Sequence, residues 1–96
     1  SFRFSEESAN PQYEGRVLFK SPFPSAGVYL ISEGIVSVEV TKRGYFNEMQ
    51  YKSKIELGGT VNLTATPDNR LRLTFNQVKV IDNYNVEILT SADLIY

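Results

Sequence analysis

Cysteine, histidine and tryptophan are all absent from this 96-residue chain. Without cysteine there are no disulfides, no thiolate nucleophiles and no cysteine-based metal sites. Without histidine there is no Ser-His-Asp or Cys-His machinery, no imidazole base and no histidine-rich metal centre. An excess of either charge is also missing: 10 Lys and Arg stand against 11 Asp and Glu, a formal net charge of -1. Global charge therefore points to neither a polyanion nor a polycation as partner. No apolar run approaches the roughly 20 residues that span a bilayer, and no segment has the basic start and apolar middle of a signal peptide. Ser1 rather than a methionine opens the chain, and the expectation is an excised domain or matured product, part of a larger protein.

What is present is alternation. Val36, Val38 and Val40 share one side of an extended segment; Ile55 with Leu57, and Val61, Leu63 and Ala65, repeat the pattern. Side chains on a strand point to opposite faces with period two, so this spacing predicts sheet with one face packed and one wet. A hydrophobic content of 42% with 22% charged residues is ordinary for a folded soluble domain and argues against global disorder. The length fits a single domain over residues 1–96, able to bury roughly 60 to 65% of its unfolded surface.

Along the chain, Phe2 and Phe4 alternate with Arg3 as a short edge strand, and 5–12 read as a loop around Asn10 and Pro11. Tyr13 to Lys20 is a strand with Val17 and Phe19 on one face, followed by a connection with two prolines and a glycine at 21–27. Val28, Tyr29, Leu30 and Ile31 form an unbroken apolar run, predicted to be a strand covered on both sides. Strands are expected over 35–41, 50–57 and 60–66, with Gly58-Gly59 as a hairpin turn tolerant of positive φ. Leu71, Leu73 and Phe75 keep odd phase while Val78 and Val80 keep even phase, so Asn76-Gln77 must hold a β-bulge or a tight turn. Asp82, Asn83 and Asn85 mark a further turn before strands at 86–89 and 94–96.

Seven to nine short strands with no helical period predict an all-β antiparallel sandwich rather than a ligand-filled barrel. VSVEVTKRGY followed about ten residues later by IELGGTVNL, carried by Val36, Val38, Val40, Gly44, Tyr45, Ile55, Leu57, Gly59, Val61 and Leu63, resembles the second half of carboxypeptidase regulatory-like and PEGA domains. Gly15, Pro24, Gly27 and Val28 imitate the opening of that family, and GGTVNLTATP is similar to segments of bacterial surface repeats. The resemblance implies a transthyretin-like sandwich from a secreted, periplasmic or cell-surface protein of bacterial type.

The residues with chemistry to offer are carboxylates, lysines, tyrosines and hydroxyls. Glu39 and Glu56 on neighbouring strands would be the carboxylate pair of a glycosidase-like site, but on a solvated sheet they are expected to face Lys54 and Arg72. Gly58-Gly59 lacks the following helix and lysine of a phosphate loop. Asp82, Asn83 and Asn85 offer calcium only one carboxylate, so they are taken as a turn; no metal and no cofactor is expected. Asn62-Leu63-Thr64 is a glycosylation sequon placed mid-strand. Catalysis is not expected.

One constellation stands above background, TKRGYFNEMQYKSK. Lys42, Arg43, Lys52 and Lys54 set against Glu48 give the hairpin over 42–54 a local charge of +3, with Tyr45, Phe46 and Tyr51 among them. Such faces stack on sugars or bases while the cations reach phosphates or carboxylates. Lys42, Arg43, Tyr45, Phe46, Tyr51 and Lys52 are thus the candidate binding residues, against the plainer possibility that the tyrosines cap the core and the lysines keep an edge soluble. Two functions compete: a non-catalytic spacer or protein-interaction and adhesion module, and a small binding domain using this hairpin for a glycan, a lipid headgroup or single-stranded nucleic acid. Neighbouring domains or a protein partner are the expected contacts, carbohydrate comes next, and no specific nucleic acid is expected.

Overall fold

Alternating valines at 36, 38 and 40, with Val17, Val61, Leu63, Leu73, Phe75, Val78 and Val80, all turn to one side and are buried. That shared side is the concave face of a single curled antiparallel sheet. The computed structural model describes residues 2–6, 12–44 and 47–96. Eight strands lie among them: β1 (Phe2–Glu6), β2 (Gln12–Phe19), β3 (Gly27–Leu30), β4 (Val36–Arg43), β5 (Glu48–Lys52), β6 (Thr60–Ala65), β7 (Leu71–Ile81) and β8 (Glu87–Ile95). The helical segments among the described residues are two 3₁₀ turns, Ile31–Glu33 and Ile55–Leu57.

The strands run in the order β1-β2-β4-β5-β7-β6-β3, with β8 on β7 as well. The long β7 takes β6 along Leu71 to Phe75 and meets β5 only at Ile81, which pairs with Lys52. One half of the sheet is therefore β1, β2, β4 and β5, the other β3, β6, β7 and β8, and a single bridged pair links them. The curl brings the halves together through aromatic rings: Phe4 meets Phe75 at 5.8 Å between centroids, Phe2 meets Tyr96 at 4.8 Å, and Phe19 meets Tyr29 at 5.0 Å. The Phe2–Tyr96 and Phe19–Tyr29 pairs are edge-to-face, the arrangement the ring quadrupole favours. Buried residues of both halves form one hydrophobic cluster.

The phase slip predicted at Asn76-Gln77 is a β-bulge. The β7–β8 register shifts between Phe75 and Val78, Gln77 has φ of 51°, and its N–H donates to Ser91 Oγ at 2.8 Å. Beyond it the expected segments at 86–89 and 94–96 are one strand, β8.

Three expectations fail. Val28 to Ile31 is not covered on both sides: β3 pairs only with β6, its Val28 is 68% exposed, Tyr29 alone of the strand turns inward, and Ile31 reaches the core from the 3₁₀ turn. A continuous apolar run has the same appearance at a sheet margin as at its centre. The strand expected over 50–57 stops at Lys52, because the Ser53 side chain replaces its carbonyl in the ladder: Oγ accepts from the Val38 N–H at 2.9 Å, while the Ser53 N–H still donates to the Val38 carbonyl at 2.8 Å. Ile55–Leu57 is then a 3₁₀ turn, and the apparent alternation of Ile55 and Leu57 is accidental.

Gly58-Gly59 is accordingly no hairpin turn, since β5 pairs with β4 and β7 and not with β6. Its positive φ values, 69° and 118°, are as expected. Gly59 has a second constraint: a Cβ there would stand 3.0 Å from Ile31 Cδ1, while its carbonyl accepts from the Ile31 N–H at 2.9 Å. The glycine lets the two 3₁₀ turns lie side by side and seats Ile31 in the core.

Candidate functional site

Strand register assembles residues that are far apart in sequence on the outer face of the first half. Arg3 on β1 lies opposite Arg16 on β2, Arg16 opposite Glu39 on β4, and Glu39 opposite Lys52 on β5. A second row, two residues along, is Ser5, Glu14, Thr41 and Gln50. All of these but Ser5 line a shallow groove of about 260 Å³, with Arg43 and Glu48 at one end.

Its electrostatics are a partly neutralised lattice. Arg16 Nε donates to Glu39 Oε2 at 2.7 Å, Arg43 Nη1 to Glu14 Oε1 at 2.9 Å, and Arg43 Nε to Glu48 Oε2 at 3.3 Å. All three glutamates of the groove thus have a guanidinium partner. Arg3 and Lys52 have no ion pair among the described residues. Exposed pairs of this kind contribute about 0–1 kcal/mol each to stability, so the lattice shapes the surface far more than it holds the fold.

Of the six residues singled out from the hairpin, the four described divide across the sheet. Arg43 and Lys52 stand on the outer face and belong to the groove. Tyr51 lies on the opposite face, 6% exposed and paired with Val40 in the core, so its ring offers no stacking platform to solvent. Lys42 keeps the phase of Val40 and sits half-buried between Tyr13 and Met49. Tyr45 and Phe46 lie outside the described residues. Arg3, Glu14 and Arg16 were missed by sequence reasoning; the period-two run Glu14-Gly15-Arg16-Val17 signals charges on an outer face, but only the pairing of β2 with β4 puts them beside the hairpin.

Glu39 and Glu56 do not stand on neighbouring strands. Glu39 takes Arg16 as partner with Lys52 across from it, rather than Lys54 and Arg72, and Glu56 is exposed on the second 3₁₀ turn. Arg72 instead binds Asp93 on β8 through Nε and Nη2 at 2.8 and 2.5 Å. That bond holds the Asp93 carboxyl below its ordinary range and raises the Arg72 guanidinium. Asp82 is buried in the turn after β7, where Oδ1 accepts from the Tyr84 and Val86 N–H groups at 2.8 and 2.9 Å.

A second concavity, about 470 Å³, opens between β1 and β8, lined by Phe4, Tyr13, Val40, Ile88, Ala92 and Leu94. Tyr96 bridges one end of this opening, its hydroxyl donating to the Arg3 carbonyl at 2.7 Å, and burial raises the pKa of that phenol. Among the described residues no helix is long and apolar enough to cross a membrane. No family model, curated protein or solved structure matches this chain.

Proposed function

We propose that this chain is a non-catalytic β module of a larger exported or cell-surface protein, serving as a spacer and as a protein-interaction or adhesion domain. The observation that carries this reading is the character of two sheet margins. Among the described residues β3 and β8 each have a single neighbour, and each presents apolar side chains to solvent: Val28 and Leu30 on β3, Leu89 and Ile95 on β8, with Val86 just before it. A margin with unsatisfied backbone groups and exposed apolar side chains recruits another extended chain, the backbone supplying affinity and alternate side chains supplying selectivity. Support for a non-catalytic role comes from the acids, since Glu14, Glu39, Glu48 and Asp93 hold ion pairs and Asp82 holds a turn. The three ring contacts between the halves support describing the curled sheet as an open form of an immunoglobulin- or transthyretin-like two-layer arrangement. The bacterial surface setting rests on the resemblance of 36–63 to carboxypeptidase regulatory-like and PEGA domains.

Selection of displayed extended peptides against the folded chain tests the proposal. Peptides with alternating apolar residues are expected, and their binding should fall in Val28→Lys/Leu30→Lys or in Leu89→Lys/Ile95→Lys. Selected peptides indifferent to both double variants, or turnover of a substrate by the purified chain, would overturn it.

A further inference from the structure

We propose that the groove across β1, β2, β4 and β5 is a binding site for an anionic oligosaccharide, with acidic groups received at one end by Arg3 and Arg16 and at the other by Lys52. Like charges directly opposite on neighbouring strands repel, and Arg3 and Arg16 are such a pair. Arg16 is relieved by Glu39 on its far side. Arg3 has no ion pair among the described residues, and neither has Lys52 at the other end of the row. Neighbouring strands lie about 4.8 Å apart, which places the two ends about 14 Å from each other, the span of a short oligosaccharide rather than of a single anion.

The class of ligand follows from the direction of the rows. They cross the strands, and β2 and β4 are already paired on both sides. A peptide lying across them finds no free backbone to bond, whereas a sugar chain needs only side-chain donors and acceptors. Thr41 and Gln50 supply these along the second row. A nucleic acid strand, with a phosphate at every unit, would meet Glu14, Glu39 and Glu48 inside the same groove. Sparse acidic groups on a hydroxyl-rich chain match two separated cationic ends with carboxylates between.

Calorimetric titration of the chain at low ionic strength with short oligogalacturonates partly methyl-esterified so that their free carboxylates are sparse, and with the same oligosaccharides after reduction of their carboxyl groups, tests this. Binding is expected only for the acidic form, weakening with added salt. Arg3→Gln/Lys52→Gln should weaken it about tenfold, a modest loss for two charge-assisted contacts at an exposed site. Glu39→Gln should tighten it severalfold by releasing Arg16 and removing a competing carboxylate, a gain that a merely structural role for Glu39 would not give. All the substituted side chains lie on the outer face, and an unchanged circular-dichroism spectrum confirms folding. Equal binding of the reduced sugar, indifference to Arg3→Gln/Lys52→Gln, an equal loss in Arg72→Gln, or tighter binding of polyglutamate or oligothymidylate would each overturn the proposal, as would no binding at all.

Discussion

On the half built from β1, β2, β4 and β5, outward side chains are mostly charged, and Glu14, Arg16, Glu39, Arg43 and Glu48 are tied into three ion pairs. On the half built from β3, β6, β7 and β8 charges are fewer: Val28, Leu30, Asn62, the threonines at 60, 64 and 74, Leu89 and Ile95 stand beside Lys79 and Glu87, with the one ion pair Arg72–Asp93 among the described residues. The inward faces do not differ in this way: both contribute buried aliphatic and aromatic residues to one cluster. Stability is shared between the halves, then, while the surfaces they offer are distinct: one polar and grooved, the other apolar at its margins. Inner positions answer to packing, which treats both halves alike, and outer positions are free to follow function.

The shared core is where a single substitution has its largest effect. Leu73 is fully buried on β7, between β6 and β8. Leu73→Ala should cost about 2–5 kcal/mol, from lost transfer energy and the cavity left behind. Amide signals of β2 and β6 should disappear together when urea unfolding is followed by NMR, before and after the substitution, as one cooperative unit requires. Separate transitions for the two halves would show that the single bridge between Lys52 and Ile81 joins independent units.

A smaller effect isolates the contact between them. A Cβ on Gly15 would stand 2.0 Å from Phe4 Cζ, and Phe4 is the β1 ring that meets Phe75 on β7. Gly15→Ala must therefore push the ring off Phe75, with an expected loss of about 1–3 kcal/mol. With Phe4→Ala already present the same change has nothing to displace, so the double variant should be as stable as Phe4→Ala within about 0.5 kcal/mol. Urea denaturation of the four proteins measures this non-additivity. Additive losses would mean that Gly15 is required for its own backbone and not for the ring.

Much of this architecture is legible from residue types alone, and the reasons for the rest are physical. Val36, Val38 and Val40 declare a strand and its buried face, and the change of phase from Phe75 to Val78 declares a bulge. Period two is local, and a strand carries it whoever its neighbours are. Whether Val28 lies at a margin or at the centre depends on pairings with residues more than thirty positions away, and so does the meeting of Arg3, Arg16 and Lys52 in one row. Ile55 and Leu57 show the opposite error: two apolar residues spaced by one are too few to outweigh the bonds Ser53 makes to Val38. The candidate hairpin is visible as a charged and aromatic stretch, but the plane of the sheet separates Tyr51, which packs in the core, from Arg43 and Lys52, which face solvent.

The smallest expected effect concerns the ion pair on the second half. The Arg72 hydrogen bond is the main cause of the lowered Asp93 pKa, desolvation opposes it, and the folded value lies below the unfolded one. A carboxyl of that kind adds stability above its unfolded pKa, near 3.8, and loses it as pH falls through the folded value. Asp93→Asn should therefore lower the melting temperature slightly at neutral pH and low salt, with the gap to the unsubstituted protein closing as pH falls below about 4. Added salt should close the gap as well, because both side chains are about half exposed and screened. On the first half Arg43 holds Glu14 and Glu48 at once, so Glu48→Gln leaves it a partner, whereas Asp93→Asn takes from Arg72 the partner it has among the described residues. Thermal melts of the two variants across pH should thus show the larger acid-dependent change for Asp93→Asn; the reverse order would mean that the more heavily charged half, not the half with the isolated pair, sets the acid limb of stability.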